Sequence, residues 1–253
     1  MLEIKRKVGF EGSLKAFFDH LRTDPQFKFA SKQALLDGYD AIRSRVDAAV
    51  PKLFTLTPRS PFEIRPVPEY SERSQAAGYY RPGTPDGSRP GIFFVNTYDL
   101  PSRTTPRMET LFLHEAIPGH HFQIALAQEN ESLPNFMRFD GNTAFAEGWA
   151  LYAESLGPEL GMFTDPYQAF GSLDDEMLRA IRLVVDTGIH ARGWSREQAI
   201  RYMLDNSAQS ETDARAEVER YIAIPGQALA YKVGALTIRR LRTEAEQALG
   251  ERF

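Results

Sequence analysis

The chain has 253 residues, 42% of them hydrophobic and 25% charged, with a net charge of −4, which is enough length to bury a sizeable core in one large domain. Acidic residues outnumber basic ones and no basic run is long enough to track phosphates, which argues against nucleic acid as a partner; no apolar run approaches the ~20 residues of a membrane helix, and the start MLEIKRKVGFEG lacks the apolar stretch of a signal peptide, so a non-membrane, cytoplasmic chain is the expectation. Cysteine is absent, so disulfides and thiolate metal sites are excluded and any metal must be held by histidine and carboxylate.

Residues 12–54 read as helix, in SLKAFFDHLRTD and then SKQALLDGYDAIRSRVDAAVPKLF, where apolar residues recur at helical spacing and Pro51 stands near the end. Between Pro58 and Leu100 the texture changes. PFEIRPVPEY and GIFFVNTYDL are short β-prone runs separated by the turn-rich YYRPGTPDGSRPG, predicting two strands joined by a long loop. From Thr105 the pattern is helical almost to the end, with Thr105 as N-cap and Pro106 at the first helical position, where a missing N–H is harmless. Further helices are expected at about 142–156, 166–190, 195–206, 210–222 and 226–248. The fold class is therefore mainly α, with a small β-hairpin or sheet inserted ahead of the motif helix, and residues 1–253 form a single catalytic-type domain.

The motif is HEAIPGHH, which gathers His114, His120 and His121 and sets Glu115 beside the first of them, while the rest of the chain supplies only His20 and His190. Histidine and carboxylate at that density suit a divalent metal with a base next to it. The spacing differs from H-E-x-x-H, whose two histidines share one face of a helix. At roughly 100° per residue, His120 would lie about 120° off the face of His114; His121 returns to that face but about 10 Å along the axis, too far for two bonds of roughly 2.1 Å to one ion. Pro118-Gly119 supplies the remedy, because proline cannot donate to the helical ladder and forces a bulge or break. Two residues looped out bring His120 back towards His114, and Gly119 leaves room for the backbone. His121 remains an alternative second ligand.

A third ligand comes from TAFAEGWALYAE, where Glu147 stands among Ala144, Ala146, Ala150 and Leu151. A carboxylate on so small and apolar a face is costly unless a cation sits opposite; the alternative is an ion pair with Arg179 or Arg182. Glu154, two turns on, is read as supporting the site or facing solvent. Glu115 points ~100° away from His114 along the helix, so its natural role is general base for a water activated by zinc, which two imidazoles and one carboxylate with an open fourth position favour over other metals.

HEAIPGHHFQ, FAEGWALYAE, RLVVDTGIHARGW and RYIAIPGQALAYKVG, in that order, resemble the carboxyl-terminal part of the bacterial family known as domain of unknown function 885, whose members are regarded as zinc metallopeptidases. The family is in turn distantly similar to the helical thermostable carboxypeptidases and oligopeptidases. The resemblance implies a helical zinc-peptidase-like domain with His114, His120 and Glu147 on zinc, Glu115 as base, and a tyrosine after a glycine-containing turn as donor to the developing oxyanion; this selects Tyr231, with Tyr221 second. Relatives carry a long helical region before this part and a short segment after it, so a fragment is the expectation.

Other groups are placed from the residues themselves. Pro225-Gly226 precedes a helix whose first turns present Gln227 and Tyr231 to a substrate. Arg179, Arg182, Asp186 and His190 form one polar stripe on an otherwise apolar helix, either a solvated face with an Arg182–Asp186 pair or the wall of a cleft; in the second case His190 donates to the oxyanion and an arginine such as Arg182 binds a substrate carboxylate. GIFFVN reads as a core strand or as an edge strand; as an edge strand it pairs with an extended peptide, with Asn96 and Tyr98 bordering the cleft. The function expected is that of a zinc-dependent metallopeptidase cleaving short peptides, with a zinc amidase or esterase, or a non-catalytic metal-stabilised helical binding module, as the alternatives.

Overall fold

The computed structural model describes residues 1–253. Helices α1 (Leu2–Lys7) and α2 (Leu14–Thr23) open the chain. Ser13 caps α2 by accepting from Ala16 N at 3.1 Å, and the apolar face of Phe17, Phe18 and Leu21 buries against Phe170. Pro25 starts a short 3-10 turn on the Asp24 cap, so the helical stretch expected over 12–54 is divided, and α3 (Lys32–Ala49) starts anew where Ser31 accepts from Ala34 N at 3.0 Å.

The small sheet has three strands, β1 (Phe62–Pro66), β2 (Gly78–Arg81) and β3 (Gly91–Val95), in the order β1-β3-β2, with β1 parallel and β2 antiparallel to β3. The two-strand expectation missed β2, because Gly78–Arg81 overlaps the turn-rich run and is too short to display a period of two. Of the two readings of GIFFVN, the core strand is the one realised. GIFFV is the central strand, paired on both sides and buried at every position, which is why its sequence is continuously apolar; the edges are β1 and β2, and β2 is the one that lines the cavity.

The helix expected from Thr105 begins as a 3-10 turn, Thr105–Arg107, with no side-chain cap, and runs into α4 (Met108–Glu115). The chain then breaks and resumes as α5 (His120–Glu129), followed by α6 (Asn135–Phe139) and α7 (Thr143–Glu154). The long α8 (Pro166–Arg192) has Asp165 as cap and Pro166 at its first position, and ends at Gly193 in the left-handed region, the pattern of proline inside the start and glycine past the end. Helices α9 (Arg196–Asn206), α10 (Glu211–Ala223) and α11 (Ala230–Leu249) complete the chain, all near their expected positions.

Two apolar clusters hold these elements. In one, Phe112 and Leu113 of α4 pack with Tyr39 and Val46 of α3, Phe93 of β3, and Leu156 and Met162; in the other, Leu178, Ile181 and Val185 of α8 pack with Ile200, Met203, Val218 and Tyr221. Each such side chain contributes about 1.5–3 kcal/mol by leaving water, so α4 and α8 are the rigid supports on which a site can be built. Helices α7 and α11 cross with backbones in contact: a Cβ on Gly148 would lie 2.5 Å from Gly234 Cα, and one on Gly234 would lie 1.9 Å from the Ala144 carbonyl oxygen. No helix is long and apolar enough to cross a membrane.

Candidate metal centre

The break between α4 and α5 arranges the histidines. After Glu115 the chain leaves the helix at Ala116, passes through a cis Ile117–Pro118 peptide and re-enters at His120. Gly119 is required there, since a Cβ would sit 1.9 Å from the His114 carbonyl oxygen and 2.3 Å from that of Leu113. Trp149 of α7 donates from Nε1 to the Pro118 carbonyl at 2.8 Å and ties the break to the helix that carries Glu147.

The result is a compact triad. Ligating atoms of His114, His120 and Glu147 all lie within 4.8 Å of one another. Glu147 Oε2 is 3.6 Å from His114 Nε2 and 3.3 Å from His120 Nε2; it is buried and accepts no hydrogen bond, while Oε1 accepts from Gln227 Nε2 at 3.1 Å. His114 Nδ1 lies 2.7 Å from Glu154 Oε1, which fixes its proton on Nδ1 and leaves Nε2 as the ligand. Glu154 is itself buried and held by Thr110 Oγ1 at 2.8 Å and Arg179 Nη2 at 3.2 Å, so it supports the site and does not face solvent. Two imidazole nitrogens and one carboxylate oxygen with no other partner fit a zinc ion with an open coordination position.

Electrostatics follow the same geometry. Burial opposes the charge of Glu147, but His114 and His120 beside it hold its carboxyl well below the usual range. For His114, burial acts to lower the pKa, and Glu147 and Glu154 outweigh it and push it up to about 9. A proton is thus held where a cation fits.

The alternatives for these residues are not realised. His121 is buried away from the triad, with Nδ1 3.0 Å from Tyr80 Oη and its ring against Phe62, and burial with Arg43 nearby pushes it down to about 4. Neither arginine pairs with Glu147: Arg179 bonds Glu154 and Asp175, and Arg182 bonds Glu217 and Tyr221.

A cavity of about 320 Å³ opens on the triad, lined by His114, Glu115, His120 and Glu147 on one side and by Arg182, Gln227 and Tyr231 on another. Glu115 is buried beside His114 on α4. Tyr231 stacks on His114 with ring centroids 6.0 Å apart, and its hydroxyl lies 3.4 Å from Gln227 Nε2. Three expected site residues lie outside. The Tyr221 hydroxyl is bonded to Glu217 and accepts from Arg182 Nε at 2.9 Å within the second apolar cluster. His190 places Nε2 2.9 Å from the Tyr221 carbonyl oxygen and so steadies the end of α10. Asn96 is buried, donating from Nδ2 to the carbonyls of Glu72, Gln75 and Ala76; it anchors the segment that borders the cavity without bordering it. Asp186 accepts from Gly226 N at 3.1 Å rather than pairing with Arg182, and Arg179, Arg182 and Asp186 are buried while His190 at the end of the stripe is exposed. Sequence reasoning missed Arg107, Arg220 and the segment Ser74–Tyr80, all of which line the cavity; neither arginine stands in a motif that marks it, and β2 was hidden among turn residues.

The family model for bacterial proteins of unknown function DUF885 matches residues 1–253. The chain belongs to this family. Solved structures similar to the chain include a "putative lipoprotein" from Colwellia psychrerythraea, 40% identical with a TM-score of 0.95, covering 99% of this chain and 44% of that one, and a "putative lipoprotein of unknown function" from Shewanella oneidensis, 25% identical with a TM-score of 0.74, covering 99% of this chain and 48% of that one. The chain spans less than half the length of either. Their description as lipoproteins does not fit the cytoplasmic expectation. No curated protein matches the chain.

Proposed function

We propose that this DUF885 chain carries the centre of a zinc-dependent hydrolase, a metallopeptidase acting on short peptides. The observation that carries the reading is the unpartnered, buried Oε2 of Glu147 facing Nε2 of both His114 and His120, with a second carboxylate, Glu115, in the same cavity. A purely structural site has no use for a base beside its ligands and closes its fourth position with protein.

Zinc, when bound by His114, His120 and Glu147, supplies Lewis-acid polarisation and makes water nucleophilic near neutral pH. Glu115 takes the proton from the attacking water and returns it to the leaving amine. Tyr231, held by stacking on His114 and by Gln227, donates from its hydroxyl to the oxygen of the scissile carbonyl as negative charge develops there, an interaction worth about 3–4 kcal/mol in comparable sites. Glu154 and Gln227 keep His114 and Glu147 in their orientations. The open edge of β2 along the cavity offers main-chain pairing to an extended peptide.

The test is hydrolysis of a mixed peptide library by the zinc-loaded protein beside its Glu115→Gln variant. Cleavage by the wild type, lost by at least about 100-fold in the variant, is the expected result. Equal cleavage by both removes Glu115 as base, and no cleavage by the wild type with zinc bound removes the hydrolase reading.

A further inference from the structure

Within the cavity two guanidinium groups share one carboxylate oxygen. Glu217 Oε2 accepts from Arg182 Nη2 at 2.7 Å, from Arg182 Nε at 3.2 Å and from Arg220 Nη2 at 3.0 Å, and from the Tyr221 hydroxyl as well. Arg107, Arg179 and Asp213, which also line the cavity, are committed elsewhere: Arg107 and Arg179 to Asp175, Asp213 to Arg103. The cluster of Arg182, Arg220 and Glu217 thus carries one more positive than negative charge, on the wall of the cavity whose triad side holds Glu115 and Glu147.

Arg182 is 5% exposed, and its Nη1 is buried without a hydrogen-bond partner. A guanidinium N–H in that state costs free energy unless an acceptor reaches it. Its plane lies over Tyr231 at 4.2 Å from the ring centroid, and Tyr231 in turn stacks on His114, so the free donor stands one aromatic ring away from the metal ligands. Arg220, beside it, likewise has a buried Nε without a partner. Arginine donors with excess positive charge, fixed by a carboxylate behind them, form a receptor for a planar anion, and a carboxylate is the anion a peptide always carries at one end.

We propose that Arg182, assisted by Arg220, binds the free α-carboxylate of the substrate, so that the centre releases residues from the carboxyl terminus of peptides. This rests on the peptidase reading above for the reaction, but not for the binding. The residue beyond the scissile bond lies between triad and guanidinium, and Tyr231 is placed to contact both the carbonyl and that residue.

The test measures binding, so that it does not depend on turnover. The Glu115→Gln protein, with and without added zinc, is titrated calorimetrically with acetyl-Ala-Ala-Phe as free acid and as carboxamide. The free acid is expected to bind at least about tenfold more tightly, as loss of a charge-assisted pair implies, and the preference is expected to vanish in Arg182→Met and to shrink in Arg220→Met, whose side chain is less buried and serves if Arg182→Met fails to fold. Equal binding of acid and amide overturns the proposal. So does a preference that survives both arginine variants, which would assign the carboxylate to the metal. A preserved acid preference in a protein that cleaves nothing supports the receptor and counts only against the hydrolase.

Discussion

Gln227 donates from Nε2 to Glu147 Oε1 at 3.1 Å, and its Oε1 accepts from Arg220 Nη1 at 2.9 Å. The amide is therefore oriented by the arginine and passes that orientation to the carboxylate, leaving Glu147 Oε2 for a metal. Groups that hold a ligand in this way commonly affect metal affinity by about 10–100-fold. Gln227→Leu is expected to weaken zinc binding within that range, read by competition with a chromogenic chelator; unchanged affinity would show that the α7–α11 packing alone orients Glu147.

Glu154 stands behind His114 in the same way, but it also neutralises Arg179. Glu154→Gln keeps the shape and removes the charge, so Arg179 retains Asp175 alone. Removing one partner of a buried ion pair costs about 3–5 kcal/mol, and the second carboxylate reduces that loss. A drop of about 2 kcal/mol in urea unfolding of the metal-free protein, accompanied by weaker zinc binding, is the expected outcome. Loss of zinc affinity with full stability would mean that the pair is not required for the fold.

The apolar periodicity of α2, α3 and α7 to α11 made the helical frame readable, and in all of these but α11 a serine, asparagine or aspartate cap adds a second local signal. The triad was readable for a similar reason: the Pro118-Gly119 interruption sits inside the motif, and Glu147 is a lone charge in an alanine-rich turn. What escaped depended on tertiary placement. Strand β2 exists because Tyr79 and Tyr80 pair with β3, Asn96 turns inward to satisfy three carbonyls of the loop beside it, and His190 finds a carbonyl on a helix 31 residues away. None of these partners can be inferred from the spacing of the residue itself.

Asp174 gives the fold a pH dependence of its own. It is buried, with Oδ1 accepting from Ala208 N at 2.8 Å and Oδ2 without a partner. Burial, with Asp175 adding and Arg107 opposing, pushes its carboxyl up to about 6 from 3.8. The folded state therefore binds this proton more tightly than the unfolded chain, and the contribution is full below the unfolded value and lost as pH rises through the folded one. Asp174→Asn keeps the acceptor for Ala208 and has no proton to lose. Between about pH 4 and about pH 6 the wild type is expected to lose stability relative to the variant in chemical denaturation; a constant difference across that window contradicts the assignment.

The break at Pro118-Gly119 selects His120, and not its neighbour His121, as the partner of His114 and Glu147. Elemental analysis of the protein after zinc loading and desalting tests it in a single comparison of His120→Phe with His121→Phe. About one zinc per chain is expected in the wild type and in His121→Phe, with loss of the metal in His120→Phe. Zinc retained by His120→Phe and lost from His121→Phe would contradict it.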